Sequence, residues 1–160
     1  MAFVKQKSEG IVVYLKRRKT MLTEKSCGAV VFTREHNEIK YLIIESEEGF
    51  YGFPKGHVED GESETETAIR EIKEETGADV TIIDGFRTTD SHPHVREGRP
   101  TVMKEMIYFL AETMEQNFIP QEGEVNSIKL MSYDEAMAAF QFESSKRILT
   151  EANNHLLLLD

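Results

Sequence analysis

The sequence predicts an α/β fold, with strands and helices mixed in the α+β manner along one chain. Three observations carry that expectation. Apolar residues run without alternation through Cys27–Phe32, Tyr41–Ile44 and Met106–Ala111, as in strands of a sheet covered on both faces. A helical period of roughly 100° per residue emerges between Ser63 and Gly77. Two further helical stretches follow near the end of the sequence, over Tyr133–Phe140 and Ser144–Leu158.

With 160 residues, the chain fits one domain with a sizeable core. Charged residues make up 30%, and no apolar run nears the roughly eighteen needed to cross a bilayer. A single cysteine, Cys27, permits no internal disulfide and suits the reducing cytosol. It lies in a strand-like run and reads as a small buried residue. The net charge of −10 argues against general binding to nucleic acid phosphates. Residues 1–20 nevertheless carry six basic side chains against Glu9, so +5 sits there and −15 on the remainder. An acidic body that holds polyphosphate needs a bridging cation.

Taken in order, residues 1–23 read as an extension and 24–160 as the folded domain. Ile11–Leu15 reads as an edge strand. The basic run Lys16-Arg17-Arg18-Lys19 follows it, the wrong order for a secretory signal. That run is a solvated turn or, alternatively, a phosphate contact. Strands are expected over Cys27–Phe32 and Tyr41–Ile44, with Arg34–Glu38 as the hairpin loop between them. Phe50–Gly56 then approaches the central stretch. Its glycines permit close approach to a ligand, and Lys55 offers a point charge to phosphate. Phe50, Tyr51 and Phe53 serve either ordinary packing or ligand contact.

The central stretch runs from Gly56 to Ala78. Ser63 with Glu66 reads as a capping box, and Gly77 as the helix stop. Thr65, Ala68, Ile69, Ile72 and Thr76 form one stripe, expected to face the core. Glu71, Glu74 and Glu75 gather on the neighbouring face, where like charges repel by a few tenths of a kcal/mol per pair. A hard divalent cation relieves that repulsion, since Mg²⁺ takes oxygen ligands and shares them with substrate phosphates. A solvated acidic face countered by Arg70 and Lys73 is the competing reading.

Beyond the helix, Val80–Ile83 is a strand candidate and residues 87–101 a polar, mobile, substrate-facing loop. His92 and His94 flank Pro93 within it, a spacing that is a poor transition-metal pattern. Met106–Ala111 and Ile128–Met131 are strands, and Gln121–Glu124 is an acidic loop able to bring another carboxylate to a metal. Ser132 with Glu135 forms a second capping box. The last helix should bury Ile148, Leu149, Ala152, Leu156 and Leu157.

The spacing around the glutamates is more specific than any of these features. Gly56 is followed after five residues by Glu62, then after seven by Arg70-Glu71-Ile72-Lys73-Glu74-Glu75-Thr76-Gly77. This resembles the signature of the Nudix hydrolases at every fixed position. Ala78 stands where a larger aliphatic residue is more usual. Flanking residues resemble the asymmetric diadenosine tetraphosphate hydrolase branch: Cys27–Phe32, Phe53–Glu59, Gly85-Phe86, Ile107–Glu112 and Phe142. The similarity spans roughly Lys25 to Leu156.

The resemblance implies an α/β/α sandwich with a mixed sheet, the signature forming a loop–helix–loop. It implies that Glu71, Glu74, Glu75 and the Gly56 carbonyl hold Mg²⁺, with Mn²⁺ as a substitute. Glu62 and Arg70 would orient the glutamates, and Glu124 would complete the metal site or help activate water. Lys55 and Lys104 would meet phosphate oxygens, while Tyr108 and Phe142 would line a nucleobase pocket. Relatives place an aromatic, often tyrosine, after the signature to stack on adenine; His94 is the nearest match here.

The reaction so implied is Mg²⁺-dependent hydrolysis of a nucleoside polyphosphate, foremost diadenosine tetraphosphate to ATP and AMP, by water attack on phosphorus. A cytoplasmic monomer or homodimer with a small-molecule substrate, and no membrane, is expected. The same chemistry also fits an oxidised or ordinary nucleoside triphosphate, a triphosphorylated RNA end or a diphosphoinositol polyphosphate. A non-catalytic nucleotide sensor is the reading from a different class, although all the signature glutamates are kept.

Overall fold

The computed structural model describes residues 3–8 and 11–16 by their backbone and residues 22–160 in full. The first two segments are β1 (Phe3–Ser8) and β2 (Ile11–Lys16), an antiparallel pair that forms its own two-stranded sheet. Ile11–Leu15 is thus a strand as expected, with β1 as its partner. The basic residues Arg17–Lys19 lie outside the described residues.

The main sheet contains β3 (Leu22–Glu35), β4 (Glu38–Ser46), β5 (Tyr51–Gly52), β6 (Lys55–His57), β7 (Thr81–His94), β8 (Val102–Glu112) and β9 (Val125–Met131). It is mixed: β3 runs parallel to β8, and every other pairing is antiparallel. The β3–β4 hairpin turns on His36 and Asn37, both at positive φ (49° and 66°), the conformation of a two-residue type I′ turn. This makes the connection shorter than the Arg34–Glu38 loop read from sequence.

Tyr41 pairs with Phe32 on one edge of β4 and with Met131 on the other. Farther along, Ile44 still pairs with Ile128 of β9, but its other partner is now Gly52 of β5. Strands β3 and β4 therefore diverge, and residues 51–57 enter the split. There β6 pairs with Ser26–Gly28 of β3. Gly28 tolerates no side chain, because a Cβ would collide with the Pro54 carbonyl and Lys55. The split delivers Gly56 to the start of the loop that leads into the helix.

That helix, α1 (Glu64–Thr76), is framed as its sequence dictates. Ser63 and Glu66 close a capping box, and Gly77 ends it at φ 75°, with its N–H donating to the Lys73 carbonyl. Ala68 and Ile72 are fully buried against Cys27, Ala29, Val31, Leu42, Ile107, Phe109 and Ala111 on one face of the sheet. The stripe differs from expectation at two positions. Thr67, Ala68, Ile72 and Thr76 are buried, whereas Ile69 is 41% exposed and Thr65 only half-buried. The 68–72–76 ridge lies in the sheet's groove, and Thr65 and Ile69 form the next i,i+4 ridge, which rides outside it.

The opposite face is covered by α2 (Tyr133–Ala139) and α3 (Glu143–Leu159), which close over Val30, Phe32, Tyr41, Ile43, Tyr108 and Leu110. Ser132 and Glu135 form the second capping box. Ile148, Leu149, Ala152 and Leu156 are buried as expected, each large side chain contributing about 1.5–3 kcal/mol. Leu157 is 58% exposed, since the helix rotates it past the buried stripe one residue after Leu156. Two helical layers over one mixed sheet give the expected α/β/α sandwich.

The largest departure concerns residues 87–101. Strand β7 continues through His94 and pairs with β8 as far as Val102, so only residues 95–101 form the connection. Its sequence conceals the strand because the half-buried positions Thr88 and Asp90 are polar, while Arg87, Thr89 and Ser91 are exposed. Pro93 is tolerated because β7 lies at the sheet's edge. Among the described residues, no helix is long and apolar enough to cross a membrane.

Candidate active site

Arg70 organises the acidic face of α1. Its Nε donates to Glu62 Oε2 at 2.7 Å and its Nη2 to Glu62 Oε1 at 2.9 Å, a two-pronged grip on the preceding loop. Nη1 donates to Glu71 Oε1 at 2.7 Å and to Glu74 Oε2 at 3.2 Å. Nη2 also donates to the His57 carbonyl at 2.9 Å. Glu62 is further fixed by the Glu59 N–H (2.9 Å) and the Thr67 hydroxyl (3.2 Å). The Arg70 guanidinium and that N–H hold the Glu62 carboxyl down at about 2. The resemblance implied a Glu62–Arg70 pair, and the two residues are in contact; the parts of Glu59, Thr67 and the His57 carbonyl follow only from the fold.

Gly56 sits directly against the Glu71 side chain, where a Cβ would collide with the carboxylate. Glu75 is one helical turn farther on and accepts a hydrogen bond from the Lys55 N–H at 3.1 Å. Burial pushes its carboxyl up to about 7, with the charges of Glu71 and Glu124 acting in the same direction against Lys55. Glu124 belongs to a loop tied to the end of α1, since the Gln121 N–H donates to the Glu75 carbonyl at 3.1 Å. Glu71, Glu75 and Glu124 therefore share one electrostatic neighbourhood although Glu124 is 49 positions from Glu75 in sequence.

Among the described residues, no three His, Cys, Asp or Glu side chains are gathered tightly enough to grip a metal ion as they stand. Arg70 engages Glu71 and Glu74 instead. The donor set still fits a hard divalent cation. It offers only oxygens, it concentrates mutually repelling carboxylates, and Gly56 leaves its backbone open beside one of them.

The remaining expected residues spread outward from this point. Tyr108 is buried on β8, edge-on to Phe53 with ring centroids 5.6 Å apart. Phe142 stands at the start of α3, 48% exposed, and packs against Phe50 at 5.0 Å. Gln141, a residue whose role the sequence did not betray, holds that corner: its Oε1 accepts from the Tyr51 N–H and its Nε2 donates to the Gly49 carbonyl, each at 3.1 Å. Lys104 lies on β8 opposite His92, and His94 lies opposite Val102, so His94 belongs to the strand and not to a loop. Cys27 is buried and its thiol is pushed up to about 11 by that burial, which suits packing and not nucleophilic attack.

The family model for the NUDIX domain matches residues 23–152. The chain is 33% identical over 144 residues to the asymmetrical bis(5'-nucleosyl)-tetraphosphatases of Mus musculus and of Sus scrofa, covering 82% of this chain and 95% of each relative. Its fold matches a crystal structure of a C. elegans Ap4A hydrolase binary complex with a TM-score of 0.72 at 24% identity, covering 84% of this chain and 98% of that one. The Glu62–Arg70 brace, the clustered glutamates and a match over most of the chain make this protein a member of the Nudix hydrolase family.

Proposed function

We propose that this Nudix hydrolase cleaves diadenosine tetraphosphate asymmetrically, to ATP and AMP, with Mg²⁺ as cofactor and Mn²⁺ as a substitute. The observation that carries the reading is the 33% identity to asymmetrical tetraphosphatases over 95% of their length, joined to a complete set of signature glutamates. The same set disfavours a binding module that has lost catalysis.

Glu71, Glu74, Glu75, Glu124 and the Gly56 carbonyl would hold the cation. When bound, it neutralises phosphate oxygens and lowers the pKa of water. The chain's own residues supply the rest. Lys55 and Lys104 orient the polyphosphate as point charges. Arg70, anchored by Glu62, fixes the directions of Glu71 and Glu74. A water molecule adds to phosphorus, the bridging P–O bond breaks towards the departing nucleotide, and a carboxylate takes the water proton. Glu74 and Glu124 are the candidates for that base. Tyr108, Phe142 and His94 are the proposed contacts to the nucleoside. The setting we infer is the cytosol, for a monomer or homodimer.

Product analysis on diadenosine tetraphosphate in ¹⁸O-labelled water tests this directly. ATP and AMP, with label in one of them, are expected, and turnover should fall by orders of magnitude in Glu74→Gln and Glu75→Gln. Negligible dinucleotide cleavage beside rapid cleavage of a nucleoside triphosphate would replace the substrate assignment.

A further inference from the structure

One row of the sheet runs from the acidic site to the opposite edge. The backbone of Lys55, bonded to Glu75, pairs with Gly28; Gly28 is level with Tyr108, and Tyr108 pairs with Thr88. Three inter-strand spacings separate the ends, about 14 Å. Asp90 follows Thr88 by two residues, so it projects from the same face and is the diagonal neighbour of Tyr108. Burial raises the Tyr108 hydroxyl above its ordinary range, and the charges of Asp90 and then Glu75 add to the effect. Tyr108 thus has the Asp90 carboxylate as its diagonal neighbour on one side, and on the other the backbone of Gly28 and Lys55 that leads to Glu75.

Asp90 is not consumed by the fold. Its side chain is 23% exposed, and among the described residues it accepts no hydrogen bond. The nearest cation, Arg147, stands 4.0 Å away, beyond hydrogen-bond reach. Arg147 is already committed to the Thr89 carbonyl at 2.8 Å, to Glu151 at 3.0 Å and to the Thr88 hydroxyl at 3.2 Å. Lys104, the other diagonal neighbour, forms no ion pair with Asp90. A carboxylate in this position repels phosphate but attracts a neutral group that carries N–H or O–H. The row would thus sort its guest, with the reacting phosphates at the glutamates, a nucleoside at Asp90, and Lys104 meeting the phosphate next to that nucleoside.

We propose that Asp90 is a specificity-determining residue, whose carboxylate accepts a hydrogen bond from a donor on the substrate's nucleoside, either a ribose hydroxyl or an amino group of the base. The inference rests on the proposed nucleotide substrate and identifies which part of it this edge of the sheet reads.

The test compares Asp90→Ala and Asp90→Asn with the unaltered protein on diadenosine tetraphosphate, its 2'- and 3'-deoxy counterparts and the diinosine analogue. Asp90→Ala should raise KM for the adenosine compound about tenfold or more, with kcat nearly constant. The analogue that lacks the recognised donor should bind weakly to the unaltered protein and lose nothing further in the variants. Deoxy sugars and inosine thereby separate ribose from base. Equal losses on every substrate would assign Asp90 to holding Arg147 or Lys104, and unchanged KM values would remove it from the site; either result overturns the proposal. Thermal melting shows whether each variant is folded, and Asp90→Asn preserves the shape if Asp90→Ala does not fold. Calorimetric binding of ATP, dATP, 3'-deoxy-ATP and ITP repeats the comparison without turnover. If the dinucleotide is not cleaved but these affinities still depend on Asp90, the substrate assignment falls and the role of Asp90 stands.

Discussion

Arg70 donates to Glu62 through two nitrogens and to Glu71 and Glu74 through a third, so one guanidinium joins the loop before α1 to two acidic side chains on it. A lysine ammonium carries the same charge but cannot reproduce the planar fork. Arg70→Lys should therefore lower kcat/KM on the order of 10–100-fold, the usual cost of disturbing residues that orient metal ligands. Titration calorimetry with Mg²⁺ should show weakened binding in parallel. Near-normal activity in this variant would mean that the glutamates need no such brace.

Gly56→Ala places a methyl group where the Glu71 carboxylate now rests. The side chain must swing away, because the backbone of Gly56 is held by its pairing with Cys27. Metal affinity should fall at least tenfold while the melting temperature changes little, the collision being with the far end of a flexible side chain. Circular dichroism and Mg²⁺ titration together check both halves of this expectation.

Much of the site was legible because α1 carries its own instructions. Ser63, Glu66 and Gly77 set its ends by local hydrogen bonding, and the glutamate spacing fixes which side chains share a face. Local rules also recovered the β3, β4, β8 and β9 cores, whose apolar runs admit few other readings. The far half of β7 escaped them. Thr88 and Asp90 are half-buried although polar, which local sequence reads as loop; Thr88 is held there by tertiary hydrogen bonds to Arg147 and Glu151. Gln141 was silent for a similar reason: both its partners lie about 90 residues away.

Glu64 offers a test of stability against pH. It meets Lys25 at 2.6 Å and Arg87 at 3.0 Å, linking the first turn of α1 to β3 and β7. The hydrogen bonds from Arg87 and Lys25 lower its carboxyl from 4.5 to about 2. A depressed carboxyl stabilises the fold above its unfolded pKa, and the benefit disappears as pH falls through the folded value. Glu64→Gln should thus cost about 0.5–1 kcal/mol at pH 7, discounted because both cations are partly solvated. The difference between variant and parent should shrink between pH 4.5 and 2 and vanish below, as followed by denaturant melts.

Gln141 and Phe142 carry the last prediction. Gln141 bonds to the backbone on both sides of Phe50, at Gly49 and Tyr51, and Phe142 packs its ring against that same residue. Neither ring is sealed into the core, Phe50 being 42% and Phe142 48% exposed. Exposed aromatic area held in place by a side-chain clamp has the form of a stacking surface, and a base stacked on such a ring gains about 1–3 kcal/mol. Phe142→Ala should accordingly raise KM for the dinucleotide roughly 5–150-fold and leave kcat close to the parent value. Gln141→Ala removes the clamp without removing the ring, so its KM should rise by a smaller factor in the same direction. If the two variants instead lower kcat and leave KM untouched, the aromatic pair serves the position of the phosphates and not the base. If Phe142→Ala changes neither constant, the corner is rim packing, and base recognition must rest on Tyr108 and the β7 edge.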